Sequence, residues 1–414
     1  MPTPSYHARA FLVTAAELLH RHGTPAHRLE GTLVACAAAL GLGLQVFATP
    51  TSVELAFGGR RQRAHMIRSD AGEAELARLV ALDQVMTRVR AGELDPIAGR
   101  RELRRAAHAR PPFGPATVVL AYGWTSAAAA RFFAGNLADV LGSLVLGLGI
   151  GLLALAVGRR PELGRLFAPL ATLAVAFASL LAERALIGVH GHVTTLAALI
   201  VLIPGLSLTL AMTELATRHL ISGTARLAGA LTSFVTMAFG VAVARAFVGA
   251  LPDGPAIVLP PMLAATLPEW TRMLALVLAP LGFCALFQAR RQDLWAIAIP
   301  GIAAAEVARI TGVVAGPELG AFAGAFTVAL AANGYAAWRR LPAAVVLLPG
   351  LLLLVPGSVG FQSVTLFLAN DPLAGIEAAF RMLLVAVALV AGVLTANHVV
   401  LPRLREPAAE HRAA

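Results

Sequence analysis

A chain of 414 residues with 58% hydrophobic and 14% charged side chains, at a mean hydropathy of +0.75, is far too apolar for a water-soluble domain, which carries about 25% charged residues. The net charge of +10 rests on arginine alone, because the sequence contains no lysine. That excludes a nucleotide-gripping G-x-x-x-x-G-K-[ST] loop, so any energy for moving a solute must come from an ion gradient, a substrate gradient or a separate subunit.

The first 23 residues, MPTPSYHARAFLVTAAELLHRHG, turn amphipathic at once and hold no apolar run of signal-peptide type, so no cleaved leader is expected. Residues 1–112 are expected to form a small cytoplasmic α/β domain. Residues 1–110 hold 15 of the 33 arginines, and no stretch approaches the ~20 apolar residues that cross a bilayer. Periodicity predicts helices over about 7–21, 25–41, 73–91 and 95–109, with strand-like pieces in LQVFATPTSVELAF and RAHMIRS. The segment GTPAHRLEGTLVACAAALGLGL reads as a turn, a first-turn proline and an amphipathic helix whose simplest role is folding this domain. The run RRELRRAAHAR acts as a topology determinant and is also suited to anionic lipid heads.

From Phe113 onward, apolar stretches recur with short polar gaps. They place spans at roughly 114–134, 137–157, 166–186, 193–216, 223–250, 270–289, 293–311, 317–337, 341–366 and 374–400. The expected fold is therefore an all-α polytopic membrane protein of about ten transmembrane helices, arranged as two five-span modules over residues 113–250 and 270–402. With the N-terminus inside, twelve arginines after residue 112 fall in inner turns and the tail, against six at outer ends. This bias orients both termini to the cytoplasm, in a bacterial inner membrane. It also accounts for the basic excess without nucleic acid. Cys36 and Cys284 lie in dissimilar regions, which argues against a disulfide.

The fourth span contains VLIPGLSLT, and the ninth contains VVLLPGLLLLVPGSVGFQS. Pro204 cannot donate to the carbonyl of Ile200, nor Pro356 to Leu352, nor Pro349 to Val345, and each ring pushes its turn open. The glycines let the backbone turn or be approached closely. These interruptions stand five spans apart, and an odd repeat length inverts one half of the molecule relative to the other. Paired broken helices in inverted repeats are a known design of secondary transporters. Freed main-chain groups are tolerable there only against protein or a water-filled cavity. Pro204, Gly205, Ser207, Thr209, Pro356, Gly357 and Ser358 are thus the candidate substrate-binding residues. The alternative is a simple kink whose Ser and Thr bond their own helix.

The stretch IPGLSLTLAMTELATRHLISGTARL, with HGTPAHRLE near the start and LLPGLLLLVPGS in the second half, resembles the threonine/serine exporter family over nearly the whole chain. The resemblance implies a hydrophilic N-terminal domain, two five-span modules and export of a small polar amino acid. Pro204 and Gly205 match the family's Pro-Gly, Gly223 and Arg226 its Gly-x-x-Arg, Pro356, Gly357 and Ser358 its second-half motif, and Gly23, Arg28 and Glu30 its N-terminal signature. Family members usually show Asn and Asp where this chain has Leu210 and Glu214. Some members resemble dicarboxylate exporters.

Among polar residues of the spans, Glu214 either carries a coupling proton, faces a substrate ammonium, or pairs with Arg218 one turn on. Glu306 is either functional or paired with Arg309, three residues away. Glu214, Arg226 and Glu306 are the candidates for coupling or gating, with protons as the candidate coupling ion. Asp139 with Asn136 is read as a helix cap, Glu377 with Arg381 as a helix pair, and Asn333 and Asn397 as interhelical contacts. His190, His192 and His219 lack metal-ligand spacing, so no metal and no cofactor is expected. No H-E-x-x-H, G-x-S-x-G or C-x-x-C occurs, which argues against a membrane enzyme. The alternatives are export of a dicarboxylate such as succinate, with Arg226, Arg245 and Arg309 as the cationic suppliers, or a channel or sensor gated by the N-terminal domain. Association into a homo-oligomer is left open.

Overall fold

The computed structural model describes residues 4–58, 63–69, 72, 74–158, 160–252, 254–368 and 371–410. Glu73, where the third helix was expected to begin, and Arg159 and Arg412, two of the arginines expected on the inner side, lie outside the described residues.

The chain opens with α1 (Pro4–Arg21) and α2 (Ala26–Ala39), followed by β1 (Leu44–Thr49), β2 (Ser52–Phe57) and β3 (Arg63–Arg68), then α3 (Leu76–Arg90) and α4 (Pro96–Ala107). The strands form an antiparallel sheet in the order β1-β2-β3, with Leu44 opposite Phe57 and Ser52 opposite Arg68. Alternation along β2 buries Val53, Leu55 and Phe57 on one face. Those three join Phe11, Leu12, Leu29, Leu33, Leu82 and Leu103 in one apolar core. Asp95 caps α4 by accepting from the amides of Ile97 (2.8 Å) and Ala98 (3.0 Å), with Pro96 in the first turn. Gly23 ends α1 at φ +81°. A methyl there would stand 2.9 Å from the backbone of Ala74, so both conformation and space require glycine.

The helices that follow are α5 (Pro115–Phe132), α6 (Leu137–Gly158), α7 (Gly164–Ala185), α8 (Gly191–Leu199), α9 (Gly205–Ala216) and α10 (Leu220–Ala250). A loop region then carries β5 (Ile257–Val258), which pairs in parallel with β4 (Leu186–Ile187), and the short α11 (Pro261–Ala264). The second half runs through α12 (Trp270–Leu286), α13 (Leu294–Ala315), α14 (Pro317–Arg339), α15 (Ala344–Leu352), α16 (Gly357–Leu368) and α17 (Pro372–Glu410). Among the described residues, seven helical segments are long and apolar enough to cross a bilayer: those over 137–158, 166–185, 220–250, 291–315, 317–339, 344–367 and 372–399. The other three expected spans coincide with α5, with the split pair α8–α9 and with α12. Exposed Leu141, Val145, Phe239, Val313 and Leu373 turn an apolar exterior outward, as a lipid-facing surface requires. The protein is a multi-pass membrane protein of mostly helical build.

Each split element has the same proportions, a helix of nine residues followed by one of twelve. The first interruption covers residues 200–204 and the second 353–356. Pro349 does not interrupt anything: it sits inside α15, and the break comes four residues later. Its neighbour Gly350 explains the difference. A side chain there would collide with Val328 of α14, so the Pro349-Gly350 pair lies at a close helix–helix approach. A neighbouring helix that holds a proline-bearing segment allows it to stay helical.

Candidate functional site

The two interruptions touch. A methyl built on Gly205 would stand 3.1 Å from the Gly357 Cα, and one on Gly357 would stand 3.1 Å from the Gly205 Cα and 2.8 Å from Ile203 Cγ2. Because Gly205 opens α9 and Gly357 opens α16, two helix N-termini meet at this point. Each carries first-turn amides without intrahelical acceptors and roughly half a positive charge. The local bonding follows the breaks: Leu202 and Ile203 donate to the Leu199 carbonyl (2.8 and 3.1 Å), Gly205 to Ile203 (2.7 Å), and Leu354 to Leu351 (2.8 Å). Helical bonding resumes with Leu208 to Pro204 (3.0 Å) and Gly360 to Pro356 (3.1 Å).

Beside this contact lies a cavity of about 570 Å³. Its wall includes Leu352–Pro356 and Ser358 of the second break, Ile200 of the first, Thr125 of α5, and the charged side chains Arg272, Glu306, Arg309 and Arg381. Of the seven candidate binding residues, Pro356 and Ser358 line it, and Gly205 and Gly357 form the contact at its side. Pro204, Ser207 and Thr209 are not on its wall. The Thr209 hydroxyl donates back to the Gly205 carbonyl (3.2 Å), within its own helix. Among the described residues, neither Ser207 nor Ser358 has a side-chain hydrogen bond. Glu306 accepts from Arg272 Nη2 at 2.6 Å and from Arg309 Nε at 2.8 Å, so the expected Arg309 pair has a second arginine on its other oxygen.

Helix direction fixes where the cavity lies. α12 runs from Arg272 on the cavity wall to Phe287, whose carbonyl accepts the amide of Leu76 in α3 (2.9 Å). α14 likewise starts at Pro317 on the wall and ends at Arg339, next to the segment where Leu79 and Val80 pack against Ala344, Val345 and Leu348. The cavity is therefore at the end of the bundle away from the N-terminal region.

Glu214 lies at the opposite end and is fully buried. It does not pair with Arg218, which is exposed at φ +65° just past the C-terminus of α9. Instead Arg226 grips it with Nε on Oε2 and Nη2 on Oε1, both at 3.1 Å, and Ser222 donates to Oε2 at 2.9 Å. Its fourth donor is the amide of Ala26 (3.3 Å), the first residue of α2. Pro25 gives that helix no side-chain cap, so a carboxylate 188 residues away takes the capping role. Glu30, one turn on, accepts from the Ala48 amide (2.9 Å) and meets His219 (3.2 Å). Burial, then the nearby Arg28 charge, lowers the His27 pKa from 6.5 to about 4, while Glu214 pulls the other way. Arg28 faces Asp83, whose carboxyl is raised by burial and lowered by Arg28 and Arg90. The HGTPAHRLE segment thus docks the N-terminal region onto the α9–α10 turn.

Other polar residues hold the helices together. Asn136 and Asp139 cap one another through their amides (3.1 and 2.9 Å), and Asp139 also accepts the His190 ring at 2.8 Å. Asn333 bonds Asn397 at 2.8 Å, and Arg381 pairs with Glu377 at 2.8 Å. Cys36 and Cys284 are buried and free. No cluster able to hold a metal occurs among the described residues. Arg226 is committed to Glu214 and Arg245 lines a different pocket, so of the three arginines expected near a solute only Arg309 reaches this cavity. Arg272, Arg381 and Thr125 are on the wall unforeseen; the first two read only as outer-end charges, and a threonine in an alanine-rich span carries no sequence signal.

A multi-pass chain whose two broken helices abut beside a cavity belongs to the class of membrane transport proteins. The model of a threonine/serine exporter family matches residues 10–248, and a second threonine/serine exporter model matches residues 272–399. The first alone spans more than half of the chain, which therefore belongs to the threonine/serine exporter family, an exporter family and not an enzyme family. No curated protein and no solved structure matches it.

Proposed function

We propose that the protein is a secondary transporter that exports threonine or serine across the bacterial inner membrane, with both termini in the cytoplasm. The observation that carries this reading is the contact of Gly205 with Gly357, which brings two half-helix N-termini together. The substrate carboxylate faces these amide ends, while the hydroxyls of Ser358 and Ser207 and carbonyls freed at the breaks take its ammonium and hydroxyl. Ten spans in two inverted five-helix modules place the breaks antiparallel near the midplane. Residues 1–112 form the cytoplasmic domain. Its bond to Glu214 closes the inner end in the present state, and breaking the Glu214–Arg226–Ala26 cluster opens the path from the cytoplasm as access alternates.

Glu306, between two arginines, is the candidate for proton coupling on the cavity side. Proteoliposomes loaded with threonine test the reading: counterflow that saturates with threonine supports a carrier, and flux that is linear in concentration contradicts it. Flux indifferent to an imposed pH gradient removes proton coupling while leaving the carrier intact. A dicarboxylate such as succinate is the second reading, favoured by three arginines against one carboxylate on the cavity wall.

A further inference from the structure

Charge on the cavity wall is unbalanced in a way the meeting point of the helices does not explain. Glu306 offers two oxygens, one occupied by Arg272 and the other by Arg309. Two guanidiniums carry ten N–H donors between them, and this carboxylate uses only a few. Arg272 also reaches Glu269, at 4.0 Å, but that carboxylate is 87% exposed and holds little. Arg381 on the same wall is paired with Glu377, which is 71% exposed. A second observation marks the wall as a place for a polar ligand. Ser358, at the start of α16, lines it and makes no side-chain hydrogen bond among the described residues, so its hydroxyl is left for a solute. The Thr125 hydroxyl of α5 is turned against Gly282 of α12 instead.

We propose that Arg272, Glu306 and Arg309 form an exchangeable carboxylate subsite at the exit end of the cavity. It is separate from the glycine contact and rests on the transport reading above. A solute leaving the broken helices exchanges its own carboxylate for that of Glu306 on Arg309 and Arg272, and Arg381 adds attraction. Glu306 regains the arginines when the solute departs, so it competes with product and speeds release. The ligand class is a small carboxylate, whether the α-carboxylate of an amino acid or one end of a dicarboxylate. Bidentate guanidinium–carboxylate geometry suits both.

The test is binding of threonine, succinate and threonine methyl ester to the purified full-length protein in nanodiscs, by titration calorimetry, with threonine efflux from proteoliposomes measured in parallel. Glu306→Gln frees the arginines and is expected to tighten threonine or succinate binding several-fold while slowing efflux. Arg309→Gln is expected to weaken carboxylate binding by about tenfold, the worth of a charged hydrogen bond, and to leave the ester unaffected. Arg309→Lys, which keeps the charge, covers the case in which the glutamine variant fails to fold. If Glu306→Gln weakens binding as Arg309→Gln does, or if the ester binds as well as threonine, the triad is structural and the proposal is overturned. Wild-type protein that binds carboxylates at this site but exports none contradicts the transport reading and leaves the subsite standing. Which of threonine and succinate responds identifies the source of the carboxylate.

Discussion

Glu214 concentrates the chemistry of the end of the bundle that meets the N-terminal region, and its four donors come from two separate parts of the chain, α2 and α10. Removing one member of a buried ion pair typically costs about 3–5 kcal/mol, because the other charge is left uncompensated. Glu214→Gln should therefore lower the thermal midpoint of the purified protein and expose the α1–α2 turn to protease; Arg218→Gln, at an exposed position, should do neither. His27 makes the same junction sensitive to pH. Its pKa falls from 6.5 to about 4 on burial, so between those values the unfolded chain holds the proton and the folded chain does not. This contribution to stability is flat above about pH 6.5 and declines as pH falls toward 4, by up to about 3 kcal/mol. Thermal unfolding recorded from pH 7.5 to 5 should show that slope, and His27→Gln should flatten it.

At the scale of elements, the breaks depend on glycine as much as on proline. Gly205→Ala would drive a methyl into Val355 and against Gly357, and Gly357→Ala would press on Ile203. Overpacking of this kind costs typically about 1–3 kcal/mol, which the remaining fold can absorb. Both variants should reach the membrane in normal amount and lose threonine efflux, as read by immunoblot and flux from the same cells; normal flux would show that the contact is dispensable. The broken helices were legible because a Pro-Gly step within an apolar run is a local signal. Pro349 shows the limit of that signal, since whether a proline breaks or merely bends depends on the neighbouring helix that holds it, here α14. The junction of α2 with α9 was not legible at all. Its bond joins Ala26 to Glu214 through an amide that any residue but proline supplies, so Gly23, Arg28 and Glu30 could be recognised only by resemblance. The cavity arginines lie in three different helices, and only folding shows that Arg272 and Arg309 share one carboxylate.

For the whole molecule, the N-terminal region contacts one end of the helical bundle in both of its halves. It reaches α9 through Ala26, α12 through Leu76 and α15 through Leu79 and Val80, while the cavity sits at the far end. Export predicts that cells lacking this protein and fed threonine- or serine-containing dipeptides accumulate the free amino acid, and that restoring the gene lowers it. Accumulation of neither, with retention of succinate instead, would favour the dicarboxylate reading.

The most direct measurement places a thiol at the meeting of the two half-helices, as Ser358→Cys in a chain whose Cys36 and Cys284 are replaced by alanine, and follows its alkylation by a small thiosulfonate reagent. Threonine or serine should slow the reaction in proportion to occupancy, with leucine without effect. A rate that no transported solute changes would mean that nothing lodges between α9 and α16.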